Sequence, residues 1–248
     1  MMKRIAALLI ACCLLVSCIS ALAEEEPLKF AVRHGSREVA KVAITIDDCY
    51  DRESLRKAFE LCQRYGVPAT VFPIGDQLMD EDAELWQTIA ASDWEIGSHT
   101  YHHSALGQDD RWGIIGKMMR TQERLDAVLG YHYPIRSVRP PFGNYTDSND
   151  SSALVRTTCK AIGIDHLILW DVSQTDPDLA IKKVQNGSIL LYHARPKDVR
   201  CLEKLIPALL DKGYELVTVS ELLGFPELAT STDLYVYDRA QFQQKNAQ

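Results

Sequence analysis

Residues 41–47, KVAITID, form a short apolar run that closes on an acid, and Asp48 follows directly. A run this short, with Val42, Ile44, Thr45 and Ile46 branched at Cβ, reads as a strand buried on both faces. The period then changes. From residue 53 to 65, Leu55, Phe59 and Cys62 fall on one helical face, and Gly66 and Pro68 end the helix. Residues 69–73 return to the strand pattern. Strand, helix and strand in this order make one parallel βα unit.

The alternation continues outward. Residues 94–98, 136–139, 166–170, 188–193 and 215–219 are strand-like. Helical patterns cover residues 80–92, 110–129, 151–162 and 198–212, with Gly130 and Gly163 as stops. About seven parallel strands in one domain predict an α/β fold, a distorted (β/α) barrel. An open doubly wound sheet is the structural alternative. Residues 1–23 read as a signal peptide, 24–40 as a lead-in, 41–223 as the folded domain and 224–248 as a peripheral tail that frays.

Lys3 and Arg4 precede an apolar stretch over residues 5–16, shorter than the roughly 20 residues of a spanning helix. Ala21-Leu22-Ala23 predicts cleavage that frees Glu24. Leu15-Val16-Ser17-Cys18 is a competing lipobox-like site, which would place the chain on a membrane through an acylated Cys18. Both readings predict export, secreted or associated with the cell wall in the first case. Without Lys3 and Arg4 the formal net charge moves from −7 to −9, which argues against nucleic acid as a partner. Cys49, Cys62, Cys159 and Cys201 show no CxxC pairing, and small buried hydrophobes are their ordinary reading.

The chemistry lies at the strand ends. Asp47 and Asp48 close the first strand; His99, His102 and His103 follow the strand at 94–98. Arg139 ends the strand at 136–139, Asp171 follows the one at 166–170, and His193 ends the one at 188–193. Taken singly, each has a bland explanation: an aspartate pair caps a helix, an arginine before Pro-Pro braces a turn, a histidine after an apolar strand is a satisfied half-buried residue. The His-x-x-x-His spacing places two rings on one face of a helical turn and is often coincidental. In a parallel barrel, however, all these ends meet on one rim, where active sites are built. So many ionisable groups together are costly unless they bind or catalyse.

Five segments, in order, resemble the signature motifs of the polysaccharide deacetylases, carbohydrate esterase family four, with its NodB homology domain. They are Thr45-Ile46-Asp47-Asp48, His99-Thr100-Tyr101-His102-His103, Arg139-Pro140-Pro141-Phe142-Gly143, Trp170-Asp171-Val172-Ser173-Gln174-Thr175-Asp176 and Leu190-Leu191-Tyr192-His193. The resemblance covers residues 41 to 219. It implies that Asp48, His99 and His103 hold one divalent metal, zinc in the first place, with cobalt, nickel or manganese compatible with the same ligands. His102 is not among the ligands. It implies Asp47 as general base with Arg139 as its charge partner, His193 as general acid, and the Phe142 backbone N–H as an oxyanion donor. Thr100 is expected to order the loop between the ligands.

Four positions depart from the family pattern. Cys49 replaces a usual glycine and raises the question of a thiolate near the metal. Ser173 replaces the aspartate that braces the catalytic histidine; Asp176, or else Asp171, is expected to take over. Pro177 replaces a groove tryptophan, and Ala194 a common polar residue. The expected function is metal-dependent removal of N-acetyl groups from amino sugars of a cell-wall or extracellular polysaccharide, peptidoglycan first. O-acetyl or small amide and imide hydrolysis, and a non-catalytic glycan-binding barrel, are the rival readings.

Overall fold

Residues 29–146, 150–226 and 228–233 are described by the computed structural model. The expected signal segment, with Cys18, and residues 234–248 lie outside them. The described strands are β1 (Ala31–Val32), β2 (Lys41–Asp48), β3 (Thr70–Pro73), β4 (Glu95–Ile96), β5 (Ser137–Val138), β6 (His166–Ile168), β7 (Ile189–His193) and β8 (Glu215–Val217). The helices are α1 (Arg52–Tyr65), α2 (Ala83–Ala90), α3 (Arg111–Leu129), α4 (Asp150–Ala161), α5 (Pro177–Lys183), α6 (Pro196–Asp211) and α7 (Val219–Leu223).

β2 is the axis of the fold, and every residue after Lys41 in it is buried. Thr45 pairs with Thr70 of β3 on one edge and with Leu191 of β7 on the other. β3 continues to β4, and β5 pairs with β6. Two single parallel bridges, Ser98 with Val138 and Val172 with Leu190, join β4 to β5 and β6 to β7. The chain thus closes a ring from β2 through β7, which excludes the open sheet. β8 pairs with Lys41–Ala43. Ala43 faces Ile189 and Val217 at once, so β8 must share the β3 edge of β2. This wedge and the two-residue strands β4 and β5 distort the barrel. β1 pairs with β6, so the lead-in supplies an eighth parallel strand.

α1 follows its sequence pattern. Asp51 caps it by accepting from the Ser54 N–H, Leu55, Phe59 and Cys62 are buried, and Gly66 ends it in the left-handed region at φ 62°. The expected helix over 80–92 instead divides into a 3₁₀ turn, Asp80–Asp82, and α2. Asp80 and Asp82 are drawn to Arg124 and Arg52 there. α5 and α7 are too short to show a period; they are marked only by their caps, Asp176 and Thr218. The four described cysteines are free and buried.

The described part of the tail is docked, contrary to the fraying expected of it. Phe225 stacks on His166 at 4.2 Å between ring centroids, and the Pro226 carbonyl accepts from Arg136. His132 and Ser231 exchange backbone hydrogen bonds of 2.7 and 3.0 Å.

Gly187, just ahead of β7, is one of the points at which the lead-in is fastened. Gly187 has φ 74°, and a Cβ there would lie 2.3 Å from the Ser36 carbonyl oxygen and 2.7 Å from that of Gly35. Gly187→Ala is therefore expected to cost about 2 kcal/mol or more, from left-handed strain and collision with backbone. Urea denaturation measures this, and an unchanged midpoint would contradict the clamp.

Candidate active site

The parallel register brings the strand ends to one rim. Asp47 stands opposite His193, and Asp48 opposite Pro73. The Pro73 carbonyl accepts from the His99 N–H at 3.0 Å, and the Ser98 carbonyl from the Arg139 N–H at 2.8 Å. Backbone strain concentrates here. Asp48, Cys49, Thr100, His103 and Phe142 have φ between 52° and 67°, and they are the non-glycine residues of positive φ among those described. Such conformations cost on the order of 1 kcal/mol or more each and persist where the surroundings enforce them.

Residues 99–103 do not form the helical turn that their spacing suggests. Left-handed turns at Thr100 and His103 fold the loop back, so that both rings converge on Asp48. His99 Nε2 and His103 Nε2 each lie 3.6 Å from the same oxygen, Asp48 Oδ1. The three ligand-capable atoms lie within 4.8 Å of one another. Metal bonds of about 2.0–2.2 Å span the two 3.6 Å separations from Asp48 Oδ1. His99 Nδ1 is 2.8 Å from the Arg139 carbonyl oxygen. A carbonyl only accepts, so Nδ1 carries the proton and Nε2 offers its lone pair to a metal. Burial lowers the His99 pKa, which favours the neutral ring a ligand requires. The donor set therefore fits one divalent ion.

His102 turns away and pairs with Asp76 at 2.7 Å. Arg195, which sequence reasoning did not single out, holds the other oxygen of Asp48 at 2.8 Å. Cys49 Sγ donates toward the Ile46 carbonyl, and burial pushes its thiol well up. Its sulfur is not among the ligand-capable atoms that cluster at Asp48, so the side chain fills space beside the site.

The other expected residues share this rim. Arg139 is fully buried. It donates to Asp47 Oδ1 at 2.8 Å, to Thr45 Oγ1, and to the Ile168 and Leu169 carbonyls at 3.1 and 3.2 Å. Asp47 Oδ2 is 3.8 Å from His99 Nε2. Phe142 exposes 74% of its surface beside His103, 4.7 Å between ring centroids. Gly143, at φ 62°, lies so close to Trp170 that a Cβ would approach the indole to 2.6 Å.

The fourth segment does not supply the expected brace for His193. Asp171 is held by Arg37 at 2.8 Å and accepts from the Ile189 N–H at 2.9 Å. Asp176 caps α5 by accepting from the Leu179 N–H at 3.0 Å. The carboxylate at His193 is Asp198, whose Oδ2 accepts from the His193 backbone N–H at 2.8 Å and lies 3.4 Å from Nδ1. The carboxylate beside the ring raises the His193 pKa, against the effect of burial.

The chain matches the polysaccharide deacetylase family over residues 34–157. It is 27% identical over 198 residues to the uncharacterised protein YlxY of Bacillus subtilis, covering 76% of this chain and 59% of that one. It is 25% identical over 194 residues to the peptidoglycan-N-acetylglucosamine deacetylase PgdA of Listeria monocytogenes, covering 74% of this chain and 39% of that one. The chain thus spans less than two thirds of these relatives. Among solved structures, a CE4 family pseudoenzyme from Bacillus anthracis superposes with a TM-score of 0.68 at 22% identity, over 80% of this chain and 70% of that one. That likeness shows the fold.

His103→Ala is expected to lose bound metal and His102→Ala to keep it. Elemental analysis of the purified variants measures this. Full occupancy without the His103 ring, or loss on removing only His102, would contradict the ligand set.

Proposed function

The chain belongs to the polysaccharide deacetylase family, and from that membership we propose that it hydrolyses N-acetyl groups on the amino sugars of peptidoglycan. The observation that carries this reading is the triad of Asp48, His99 and His103 beside a carboxylate, Asp47, held in place by a fully buried arginine. A metal staple alone has no use for Asp47, Arg139 or His193. The choice of peptidoglycan takes its support from the Listeria relative and from the expected export of the chain.

When bound at the triad, a divalent ion supplies a Lewis acid that polarises the carbonyl and makes water more acidic. The protein's own groups then divide the proton transfers. Arg139 fixes Asp47 Oδ1, which leaves Oδ2 on the metal side, 3.8 Å from His99 Nε2. From there Asp47 takes a proton as water oxygen adds to the acetyl carbon. The turn at Phe142 offers its backbone N–H to the developing oxyanion. His193 gives a proton to the departing nitrogen as the C–N bond breaks, and acetate and a free amine result. The exposed Phe142 ring gives the sugar an apolar surface at the mouth.

Acetate release from peptidoglycan, N-acetylglucosamine oligomers, acetylated xylan and a cyclic imide tests the substrate class. Release from N-acetylated glycans is expected; release only from the ester or imide, or from none, would contradict the proposal. Asp47→Asn keeps an oxygen for Arg139 but removes the base. It is expected to retain metal and lose activity by roughly 10²-fold or more, and near-normal turnover would assign the base elsewhere.

Export is part of the same proposal. Mass spectrometry of the processed chain is expected to find Glu24 at the N-terminus. A lipid-modified Cys18 would contradict cleavage after Ala23 and place the enzyme on a membrane surface.

A further inference from the structure

Position 173 carries a hydroxyl where the family pattern has a carboxylate, and Asp171 and Asp176 are committed elsewhere. A carboxylate nevertheless reaches His193, and it comes from a different element. Asp198 sits in the first turn of α6 and is 4% exposed. Its Oδ2 accepts the His193 backbone N–H at 2.8 Å and lies 3.4 Å from Nδ1 of the same residue.

We propose that Asp198 is the positioning residue for His193, holding Nδ1 so that Nε2 is presented to the departing nitrogen. The proposal rests on the reading of His193 as the proton donor. Helix capping alone accounts for only one of the two contacts. A carboxylate in the first turn commonly reaches back to a backbone N–H ahead of the helix, and the 2.8 Å bond is of that kind. Nothing in capping requires the same oxygen to meet the ring. The sheet register fixes the backbone of His193 opposite Asp47, so the ring is held between a brace on the α6 side and the reaction centre on the β2 side.

The charged groups facing His193 are Asp198 of α6, Asp47 and Asp48 of β2, and Arg195 of the intervening turn. The Asp198 carboxylate, 3.4 Å from Nδ1, raises the ring's pKa most; burial opposes it, the two aspartates of β2 add to it, and Arg195 subtracts. The protonated ring therefore persists to higher pH than an ordinary histidine. In the reaction its Nε2 proton passes to the amine nitrogen as the C–N bond breaks, and the ring is left neutral. Losing Asp198 lowers the pH at which that proton is lost, so the alkaline limb of kcat/KM moves down.

The test compares the metal-loaded wild type with Asp198→Asn, whose amide oxygen still accepts the His193 N–H. NMR titration of His193 and the pH profile of acetate release from N-acetylated peptidoglycan fragments are read together. In Asp198→Asn, His193 is expected to titrate at lower pH. The alkaline limb should follow it, with a loss on the order of 10-fold on that limb, part of the roughly 10²-fold or more that a general acid contributes. Adding Ser173→Asp should return part of the shift, which a purely structural role for Asp198 does not predict. Superimposable His193 titrations in wild type and Asp198→Asn would overturn the proposal. Should Asp198→Asn fail to fold, the wild type decides, because His193 titrating at or below the ordinary value of about 6.5 overturns it equally. A lowered titration with no acetate release from the wild type would preserve the coupling of Asp198 to His193 and refute the reaction assigned to the site.

Discussion

A guanidinium with no solvent exposure crosses the barrel interior, and the site is arranged around it. Arg139 cannot lose its charge at any accessible pH, so burying it demands acceptors on several sides. It finds them on two strands that are not neighbours: Thr45 and Asp47 on β2, and the carbonyls of Ile168 and Leu169 at the end of β6. Phe72 lies against its face, 4.5 Å from the ring centroid. Removing one partner from such a pair typically costs about 3–5 kcal/mol. The side chain that orients Asp47 is thereby also one that fixes the shape of the ring. Its backbone carbonyl sets the tautomer of His99, so one residue couples the carboxylate to the metal-ligand set.

The same rim stores the backbone strain. Asp48, Cys49, Thr100, His103 and Phe142 hold a conformation that favours glycine. Each belongs to the site or adjoins it. The strain is the cost of bringing two rings and a carboxylate to one point from a loop only a few residues long. Arg195 takes one oxygen of Asp48 and leaves the other facing both imidazoles, the arrangement that one divalent ion would use.

Much of this was legible in the sequence because it depends on strand ends. A buried parallel strand announces itself by its apolar run, and the residue after it must lie on the rim. Asp47, Asp48, Arg139 and His193 follow from that rule alone. The spacing of His99 and His103 suggests a helical turn, but left-handed turns at Thr100 and His103 bring the rings together instead. β1 was hidden because two residues carry no period. Asp198 was hidden because it sits where a helix begins, and an acid in a first turn has an ordinary explanation in the helix dipole. A signal was present. Pro196 fixes the helix start, and Asp198 then falls in the first turn, within reach of the histidine just ahead of it. Arg195 left no pattern, since its partner is distant in the chain.

Fold alone does not settle catalysis in this family, since a pseudoenzyme shares the architecture. What distinguishes an active rim is whether a bound divalent ion and the retained Asp47 and His193 act together on an amide. The most direct measurement is acetate release from N-acetylated peptidoglycan by the purified chain before chelation, after chelation, and after zinc is restored. Release that disappears with the metal and returns with it is the expected result. No release from the fully metal-loaded chain, or release indifferent to chelation, would contradict a metal-dependent deacetylase.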